Sequence, residues 1–259
     1  MNLLHLIFPA GLYCISCDRP LPGKQEDGVA LCERCAEEII WVSGRSCQKC
    51  GRPLSDENPS DLCRECAKTD QAFTKGYACA LYTGRAAEII RDMKYRDKAW
   101  YADTLAALMA KRFLTEADTE TGELTNYDYI AAIPMAVKKK ESRGYDQASL
   151  LARALSQRIG VPYLPKALLR VRETGAMSGL SGDERRQNLA VAFSVGYDNI
   201  ERIAGRRILL VDDVFTTGST VNTCAETLLA AGAGDVDAMV FAIGADAPRK
   251  VQRGAKMTK

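Results

Sequence analysis

The hydrophobic pattern of the chain changes near residue 72. Apart from an apolar start, residues 1–72 are polar and rich in turn-forming residues, with too little apolar surface to form a core unaided. From residue 73 onward, short apolar runs typical of buried strands alternate with segments whose apolar residues recur every three or four positions, as in amphipathic helices. We therefore predict a small domain at 1–72 and a larger domain at 73–259.

The larger region has the pattern of an α/β fold. Strands are predicted at 73–82, 127–134, 161–169, 192–195 and 237–243, and another begins at 207. Helices are predicted at 86–94, 100–113 and 146–159, and another follows residue 220. We expect an acidic loop at 114–126 and a disordered tail at 245–259. Strands that alternate with helices form a mostly parallel sheet through right-handed crossovers, and ligands bind at the carboxyl ends of its strands.

The strand that begins at Arg207 leads into the most informative segment of the chain. It ends at Asp212 and Asp213, and a short hydroxyl-rich loop then leads into the next helix. The loop residues are Thr216, Thr217, Gly218, Ser219 and Thr220. A loop at a helix N-terminus presents unpaired backbone N–H groups and the positive end of the helix dipole, both of which favour a phosphate. Adjacent carboxylates suit ribose hydroxyls or Mg²⁺, so the segment predicts a sugar-phosphate site.

Other interpretations of this segment are weaker. Paired acids at a strand end also occur before a capped helix that binds no ligand, but the attached hydroxyl-rich loop disfavours that interpretation. A phosphoacceptor receiver domain has its paired acids near its start, whereas little more than one predicted strand follows them here. The sequence also lacks the Gly-x-x-x-x-Gly-Lys loop of P-loop nucleotide hydrolases.

A basic segment lies between the strand at 127–134 and the helix at 146–159. Its charged and turn-forming residues are Lys138, Lys139, Lys140, Arg143 and Gly144. We interpret it as a loop that leaves a strand and enters a helix, where it would neutralise a pyrophosphate; the alternative is a solvated loop with a glycine turn. Lys94 and Tyr95 face an acceptor pocket or form an exposed basic helix end, and we favour the second interpretation.

Eight of the ten cysteines form four Cys-x-x-Cys pairs in the N-terminal region. The pairs are Cys14/Cys17, Cys32/Cys35, Cys47/Cys50 and Cys63/Cys66. The spacers 18–31 and 51–62 are similar in length, and the sequence of segment 17–21 is repeated in part at 50–54. This repeat favours two units, each binding one structural Zn²⁺ through two consecutive Cys-x-x-Cys pairs, over an interleaved pairing. A disulfide framework would require secretion, for which the sequence carries no signal. Because a Cys₄ site has no open position, these two metals should fold the segment rather than catalyse.

Composition sets broad limits on the function. A hydrophobic content of 47% is that of a globular protein, and no apolar run approaches the roughly 20 residues that span a bilayer. The apolar start lacks the basic leader and long core of a signal peptide, so we expect a cytoplasmic protein without a membrane span. A net charge of +2 is too small to argue for nucleic acid on its own.

Several segments resemble known motifs. Residues 211–220 resemble the phosphoribosyl pyrophosphate (PRPP) motif of type I phosphoribosyltransferases. Residues 143–147 resemble the Arg-Gly-(Phe/Tyr)-Asn-Gln segment of the ComF family of competence proteins, whose members join a double zinc ribbon to a phosphoribosyltransferase domain. Segments 82–95, 170–174 and 184–193 also resemble that family. Two positions depart from its pattern, because Asp146 replaces the usual Asn and Met177 replaces the usual Gln.

The resemblance implies a phosphoribosyltransferase-type protein that binds PRPP with Mg²⁺. Residues 216–220 would hold the 5′-phosphate, and Asp212 and Asp213, the catalytic pair, would hold the ribose hydroxyls. The basic segment would receive the pyrophosphate, and Arg185 or Arg186 would close over it. The acceptor is not identified by the sequence. The family also implies a role in handling incoming single-stranded DNA during transformation, alongside proteins of the competence machinery.

A binding-only function is the alternative. In it the pocket senses PRPP or a nucleotide, while the zinc ribbons and basic segments bind single-stranded DNA or a protein. The candidate DNA contacts are Lys138, Lys139, Lys140, Arg143, Arg91, Lys94, Arg96, Lys98, Arg45, Lys49 and Arg52, with Trp41, Tyr95 and Trp100 as neighbouring aromatics. A structural zinc adaptor with a non-functional pocket is a third possibility, which the intact phosphate loop disfavours.

Overall fold

The computed structural model describes residues 13–23, 25, 27–120, 127–171 and 192–245, with only the backbone described at 116–120 and 137–138. Its strands are β1 (Gly76–Leu81), β2 (Tyr129–Ala132), β3 (Leu168–Arg170), β4 (Phe193–Val195), β5 (Arg207–Phe215) and β6 (Asp235–Ile243). Its helices are α1 (Glu33–Glu37), α2 (Arg64–Lys68), α3 (Gly84–Tyr95), α4 (Tyr101–Glu120), α5 (Val137–Arg143), α6 (Gln147–Ile159), α7 (Ile200–Ile203) and α8 (Ser219–Ala230).

The central sheet has four parallel strands in the order β1-β6-β5-β2. In its register Val211 of β5 lies opposite Ala132 of β2 on one side and Met239 of β6 on the other. The carboxyl ends of the strands therefore meet at one edge, where β5 delivers the two acids and β2 leads into the basic segment. Strands β3 and β4 form a separate antiparallel pair. The α/β prediction with a mostly parallel sheet is confirmed.

Each face of the sheet carries its own apolar cluster. Because side chains alternate along a strand, Leu209 and Val211 of β5 pack with α3, α4 and α6, whereas Ile208 and Leu210 pack with α8. The cysteine-rich region divides in the same way. Its first half contributes apolar residues to the first cluster, and its second half contributes to the second. The two halves are thus built into opposite faces of one core.

The segment that joins these two halves covers the outer edge of the sheet. Trp41 pairs antiparallel with Ala80 of β1. Two backbone hydrogen bonds extend the pairing, from Leu81 N–H to the Ile40 carbonyl and from Val42 N–H to the Cys79 carbonyl, each 2.8 Å long. The Cys79 carbonyl and the Leu81 N–H, on the outer side of β1, therefore bond to the chain itself.

Two predicted segments differ from the structure. Helix α4 continues to Glu120, so the loop predicted from residue 114 is wrong over 114–120, and residues 121–126 lie outside the described part. The segment 114–120 contains neither glycine nor proline and includes good helix formers, so nothing in it ends the helix. The strand predicted over 161–169 is reduced to β3, with one isolated bridge from Tyr163 to Ile130 before it.

Helix α4 has 20 residues and packs along α6. None of the described helices combines the length and apolar content that crossing a membrane requires. The tail predicted to be disordered falls almost wholly beyond the described residues, which end at Ala245.

Candidate functional site

The hydroxyl-rich loop joins the end of β5 to the start of α8. Gly218 is the N-cap of α8, with φ +83°, and no side chain caps the first turn. A Cβ atom on Gly218 would lie 2.3 Å from Cζ of Phe215, so the loop backbone rests directly on that ring. The positive φ and the close approach both require glycine here. The first-turn N–H groups of α8 are left facing the loop, as in an anion-binding helix N-terminus.

The hydroxyl groups of the loop surround this helix end. Thr216 and Thr217 are exposed, whereas Ser219 and Thr220 are half-buried. The Thr217 and Ser219 hydroxyl oxygens lie 3.0 Å apart, within hydrogen-bond distance. These four side chains supply donors beside the uncapped backbone N–H groups. The arrangement can hold a phosphate, and we call residues 216–220 the phosphate loop.

The two acids lie where β5 approaches this loop. Asp212 and Asp213 leave the strand on opposite faces, since side chains alternate. Asp213 is buried and Asp212 is half-buried, and the Asp213 N–H donates to Asp212 Oδ1 at 2.8 Å. Burial, with the neighbouring Asp213 carboxylate second, raises the pKa of Asp212 to about 8. Carboxylate oxygens at this position can accept hydroxyl hydrogen bonds or ligate Mg²⁺.

Lys94 is a member of the site that the sequence analysis considered for the acceptor pocket and disfavoured. Its ε-ammonium lies 2.8 Å from Asp213 Oδ1, with the lysine side chain 22% exposed and the aspartate side chain 8% exposed. Lys94 lies four residues after Ile90 on α3, next to the buried apolar stripe of that helix, and this spacing was the available signal. The exposed-helix-end interpretation is therefore wrong for Lys94, whereas Tyr95 is 74% exposed.

The basic segment forms a helix rather than the predicted loop. Helix α5 spans Val137–Arg143 and ends at Gly144, which has φ +80°. Lys139 and Lys140 are exposed. The segment has no glycine or proline before Gly144, so its backbone can close a short helix. The pyrophosphate role predicted for it remains a prediction. The Lys138 side chain, and Arg185 and Arg186 altogether, lie outside the described residues.

Arg143 and Tyr145 connect this segment to α3. Arg143 Nη1 donates to Gln147 Oε1 at 2.7 Å, and its guanidinium lies 5.0 Å from the centroid of the Tyr95 ring. The Tyr145 hydroxyl donates to the Met93 carbonyl, one residue before Lys94. The segment after β2 therefore lies against the end of α3 that supplies the lysine.

Asp146, which departs from the ComF pattern, has a defined structural role. One carboxylate oxygen accepts the Ser149 N–H at 3.1 Å and caps α6, and the other accepts the Met135 N–H at 3.3 Å. Both oxygens serve as acceptors, and the negative charge lies at the positive end of the α6 dipole. An amide could accept with its oxygen only.

The eight predicted cysteine ligands form two clusters. Cys14, Cys17, Cys32 and Cys35 make one and Cys47, Cys50, Cys63 and Cys66 the other, with the four sulfur atoms of each within 4.8 Å of one another. Each Cys-x-x-Cys pair with its turn is called a knuckle, and the predicted grouping of consecutive knuckles into one site is confirmed. The Cys17–Cys32 and Cys50–Cys63 sulfur distances are 3.7 and 3.6 Å. A tetrahedral site with Zn–S bonds of about 2.3 Å has sulfurs about 3.8 Å apart, so both clusters fit Zn²⁺.

At Cys32 the backbone favours the thiolate that zinc needs, because the backbone N–H of Cys35 lowers the pKa of this thiol to about 7. Burial raises the pKa values of the Cys14 and Cys35 thiols in the same cluster. Each cluster has four sulfur ligands and no open coordination position, as in structural zinc sites. The chain thus has two Cys₄ zinc-binding sites, one in each half of its cysteine-rich region. We call residues 14–35 the first zinc ribbon and residues 47–66 the second zinc ribbon.

Comparison with known families defines the class of protein. Residues 3–67 match the double zinc ribbon domain, and residues 141–259 match the phosphoribosyl transferase domain. The fold also resembles a glutamine PRPP amidotransferase from B. subtilis, complexed with ADP and GMP, at 21% identity and a TM-score of 0.36, over 56% of this chain and 26% of that one. The chain is a double zinc ribbon joined to a phosphoribosyltransferase-type α/β domain.

Proteins that are similar over most of the length of the chain identify its family within this class. Competence protein F of Haemophilus influenzae is 33% identical over 207 residues, which cover 80% of this chain and 87% of that protein. The DNA utilization protein YhgH of Salmonella typhimurium is 29% identical over 223 residues, covering 86% of this chain and 93% of its own. Competence protein ComFC of Bacillus subtilis is 24% identical over 209 residues, covering 78% and 79%. The chain belongs to the ComF family of competence proteins.

Proposed function

We propose that this protein binds PRPP together with Mg²⁺ at the carboxyl edge of the sheet and transfers the phosphoribosyl group to an acceptor. The proposal rests on one juxtaposition, in which the uncapped N-terminus of α8 and the phosphate loop follow directly after Asp212 and Asp213. In a parallel α/β sheet this is where ligands bind. We place the activity in the cytoplasm, since Cys₄ zinc sites need reduced thiols.

Each part of PRPP has a partner among these residues. The phosphate loop would hold the 5′-phosphate, and Asp212 and Asp213 would accept hydrogen bonds from the ribose hydroxyls. The basic helix α5, with Arg185 or Arg186, would receive the pyrophosphate. Lys94 neutralises one of the two acids, which lowers the negative charge that an anionic ligand meets.

The chemistry that this arrangement supports is displacement at C1 of the ribose. Pyrophosphate leaves through an oxocarbenium-like state while a nucleophile attacks, and positioning and charge neutralisation supply most of the acceleration. The oxygen donors at the strand end are of the type that Mg²⁺ prefers. When bound, Mg²⁺ would neutralise charge on the pyrophosphate.

Ligand-induced stabilisation tests the binding step. PRPP with Mg²⁺ should raise thermal stability, by about 2.7 kcal/mol at a ligand concentration 100 times Kd. Asp212→Asn/Asp213→Asn should remain folded and lose most of that shift. The matched control is Asp198→Asn/Glu201→Gln, which alters two exposed acids near α7. A full shift in the double aspartate variant would mean that these acids do not hold the ribose.

Pyrophosphate release tests the transfer step. Zinc-loaded protein would be incubated with labelled PRPP, Mg²⁺ and a panel of bases, nucleosides and single-stranded DNA. Release that depends on one acceptor supports a transferase and identifies the acceptor class. Saturable binding without release, across the panel, supports a PRPP or nucleotide sensor instead.

A second candidate function is binding of single-stranded DNA, which one surface favours. Tyr95 is exposed beside the Arg143 guanidinium, and Lys139 and Lys140 are exposed on the adjacent helix. An exposed aromatic ring among cations can stack a base while the cations contact phosphates. The names of the relatives, which refer to competence and DNA utilization, agree with this function.

Three other candidate DNA contacts do not belong to this surface. Arg52 is buried, and Trp41 is half-buried with its indole N–H bonded to the Ala36 carbonyl at 3.0 Å. Arg45 bonds to residues 58–61 of the second zinc ribbon. Trp100 remains 41% exposed, with the Lys98 ammonium 5.1 Å from its ring centroid.

Salt titration tests the DNA function. Each phosphate neutralised on a single strand contributes a slope of about 0.7 in log affinity against log salt. Lys139→Gln/Lys140→Gln should flatten the slope by about 1.4 if both lysines contact phosphates. The control Lys68→Gln/Arg153→Gln removes two exposed cations from α2 and α6 and should leave the slope unchanged. Absence of DNA binding at low salt would exclude this function. The expectation of DNA-handling competence proteins as partners would then lose the support that this surface gives it.

A further inference from the structure

Arg52 of the second zinc ribbon reaches into the phosphate loop. The residue is only 3% exposed, and its Nη2 donates to the Thr216 carbonyl oxygen at 2.7 Å. Arginine is rarely buried to this extent unless its guanidinium has a defined partner. The partner here is a backbone group of the loop that the proposed function assigns to a phosphate. The second zinc ribbon, which is distant in sequence, thus supplies a fixed hydrogen-bond donor and a positive charge to the phosphate loop.

The position of Arg52 is set by the zinc knuckle that precedes it. Its carbonyl accepts the Cys47 N–H at 2.7 Å, and the Gly51 N–H donates to the Cys47 carbonyl at 2.8 Å. Gly51 has φ +72°, and a Cβ there would lie 2.6 Å from the Gly76 carbonyl oxygen. The knuckle backbone is therefore pressed against the start of β1. Because the knuckle needs its cysteines gathered around a metal, the placement of Arg52 depends on the second zinc site.

The segment that follows the second zinc ribbon also contacts the residues that support the phosphate loop. Phe73, which follows the second ribbon, meets the Phe215 ring edge-on, with centroids 6.0 Å apart. Phe215 is the ring on which Gly218 rests. The Ala72 N–H also donates to Asn222 Oδ1, in the first turn of α8, at 2.6 Å. The phosphate loop is consequently held at Thr216 by the hydrogen bond from Arg52. It is held at Gly218 by contact with the Phe215 ring, which Phe73 supports edge-on.

The first zinc ribbon makes its contacts elsewhere. The Ala30 N–H donates to the Thr104 hydroxyl on α4 at 3.3 Å, and Lys111 of α4 pairs with Asp27 at 2.5 Å. Its apolar residues belong to the cluster on the other face of the sheet. The two ribbons therefore provide a comparison within one molecule, because both bind zinc through Cys₄ sites and only the second supplies Arg52 to the phosphate loop.

We infer that Arg52 is a positioning residue of the phosphate loop, through which zinc in the second ribbon and a phosphate ligand in the loop bind cooperatively. The ligand part of this inference rests on the proposed function. By thermodynamic linkage, any factor by which zinc strengthens the ligand is the factor by which the ligand strengthens zinc. With such coupling, the occupancy of the second zinc site changes the affinity of the phosphate loop for its ligand.

The experiment compares substitutions in full-length, zinc-loaded protein. Arg52→Met removes the donor and the charge, and Arg52→Lys keeps the charge with a less well-matched donor. Arg45→Met is the control, since Arg45 lies two residues before the second zinc ribbon and its guanidinium bonds to residues 58–61 of that ribbon. The measurements are zinc content, amide hydrogen exchange at 216–220 without ligand, and calorimetric binding of PRPP with Mg²⁺ and of ribose 5-phosphate.

Arg52→Met should keep two zinc ions, exchange the loop amides about tenfold faster and bind ribose 5-phosphate about tenfold more weakly. Arg52→Lys should recover part of both effects, and Arg45→Met should behave as the unaltered protein. Folded, zinc-loaded Arg52→Met with unchanged loop exchange would overturn the positioning role. If the unaltered protein binds neither ligand, the proposed function fails, while the loop exchange still decides the role of Arg52.

Zinc release provides a readout that does not depend on a folded Arg52→Met variant. In the unaltered protein, ribose 5-phosphate at saturation should slow transfer of one of the two zinc ions to a colorimetric chelator, by about tenfold, and leave the other unchanged. The slowing should shrink in Arg52→Lys. A ligand that binds and yet leaves both release rates unchanged would overturn the cooperativity.

Discussion

At the scale of single residues, the ion pair between Lys94 and Asp213 sets the charge of the site. A half-buried ammonium against a nearly buried carboxylate is more strongly coupled than an exposed pair, because little water screens it. The pair also ties α3 to the carboxyl edge of the sheet. Lys94 therefore contributes both to the electrostatics of the pocket and to its shape.

Replacing this lysine should cost stability. Lys94→Met leaves the buried Asp213 carboxylate without its ammonium, and we expect a loss of about 1–3 kcal/mol in unfolding free energy. The double variant Lys94→Met/Asp213→Asn should recover much of the loss, as urea denaturation of both variants would show. Lys111→Met breaks the exposed pair with Asp27 and should cost at most about 1 kcal/mol. Equal losses in the two single lysine variants would contradict this account.

The sequence did not show which residues from distant parts of the chain complete the site. Asp212, Asp213 and the phosphate loop follow one another, so their proximity was visible in the sequence. Lys94 and Arg52 meet them only through folding, at sequence separations of more than a hundred residues. Both appeared in the sequence as members of basic clusters, and the basic residues of a cluster do not show which of them will be buried.

At the scale of elements, the turn from β5 into α8 depends on one glycine. Gly218 combines a positive φ with contact to the Phe215 ring, whereas Gly160, which ends α6, has φ +74° and open space where a Cβ would lie. Comparing these two glycines therefore distinguishes the cost of a left-handed backbone from the cost of a steric clash in the phosphate loop.

Alanine at these two glycines should behave differently. Gly160→Ala should cost about 1–2 kcal/mol from the left-handed conformation alone. Gly218→Ala adds a collision with the Phe215 ring, so it should cost more and should also abolish stabilisation by PRPP. Chemical denaturation measures the first effect and a ligand thermal shift the second. An undiminished ligand shift in Gly218→Ala would show that the phosphate binds elsewhere.

Elements with strong local signals were predicted well. Strand β5, helix α8 and helix α6 have clear apolar periods, and Gly160 ends α6 as predicted, although β5 runs two residues past the predicted end at Asp213, to Phe215. Helix α5 and the far end of α4 were predicted as loops because their sequences are mostly polar. The region before β3 was predicted as a strand from its apolar content, but Pro162 and Pro165 have no N–H for a ladder, and the region forms one isolated bridge instead.

At the scale of the whole molecule, the zinc ribbons are part of the core. Apolar residues of the first ribbon pack with α3 and α4, and those of the second pack beneath β5 and α8. Structural zinc in comparable sites contributes about 10–16 kcal/mol of apparent binding free energy. Loss of metal should therefore affect the sheet as well as the ribbons.

Metal removal should show this connection. The purified protein should contain two zinc ions per chain by elemental analysis. After removal of zinc under reducing conditions, the urea midpoint of the sheet should fall, because its faces lose the residues that cover them. Re-addition of Zn²⁺ should restore the midpoint. A zinc-free protein with an unchanged midpoint, or disulfides between the knuckles in the purified protein, would rule out this role.

The pairing of residues 40–42 with β1 also has a consequence for association between molecules. A strand at the border of a sheet, if uncovered, presents a row of free N–H and C=O groups that can template a strand from another chain. Here the segment between the ribbons occupies that row at Cys79 and Leu81. Shortening the protein to the region from residue 73 onward would expose the row together with the apolar surface beneath it. We therefore expect such a fragment to aggregate through β1, which light scattering of the fragment beside the full-length protein would show.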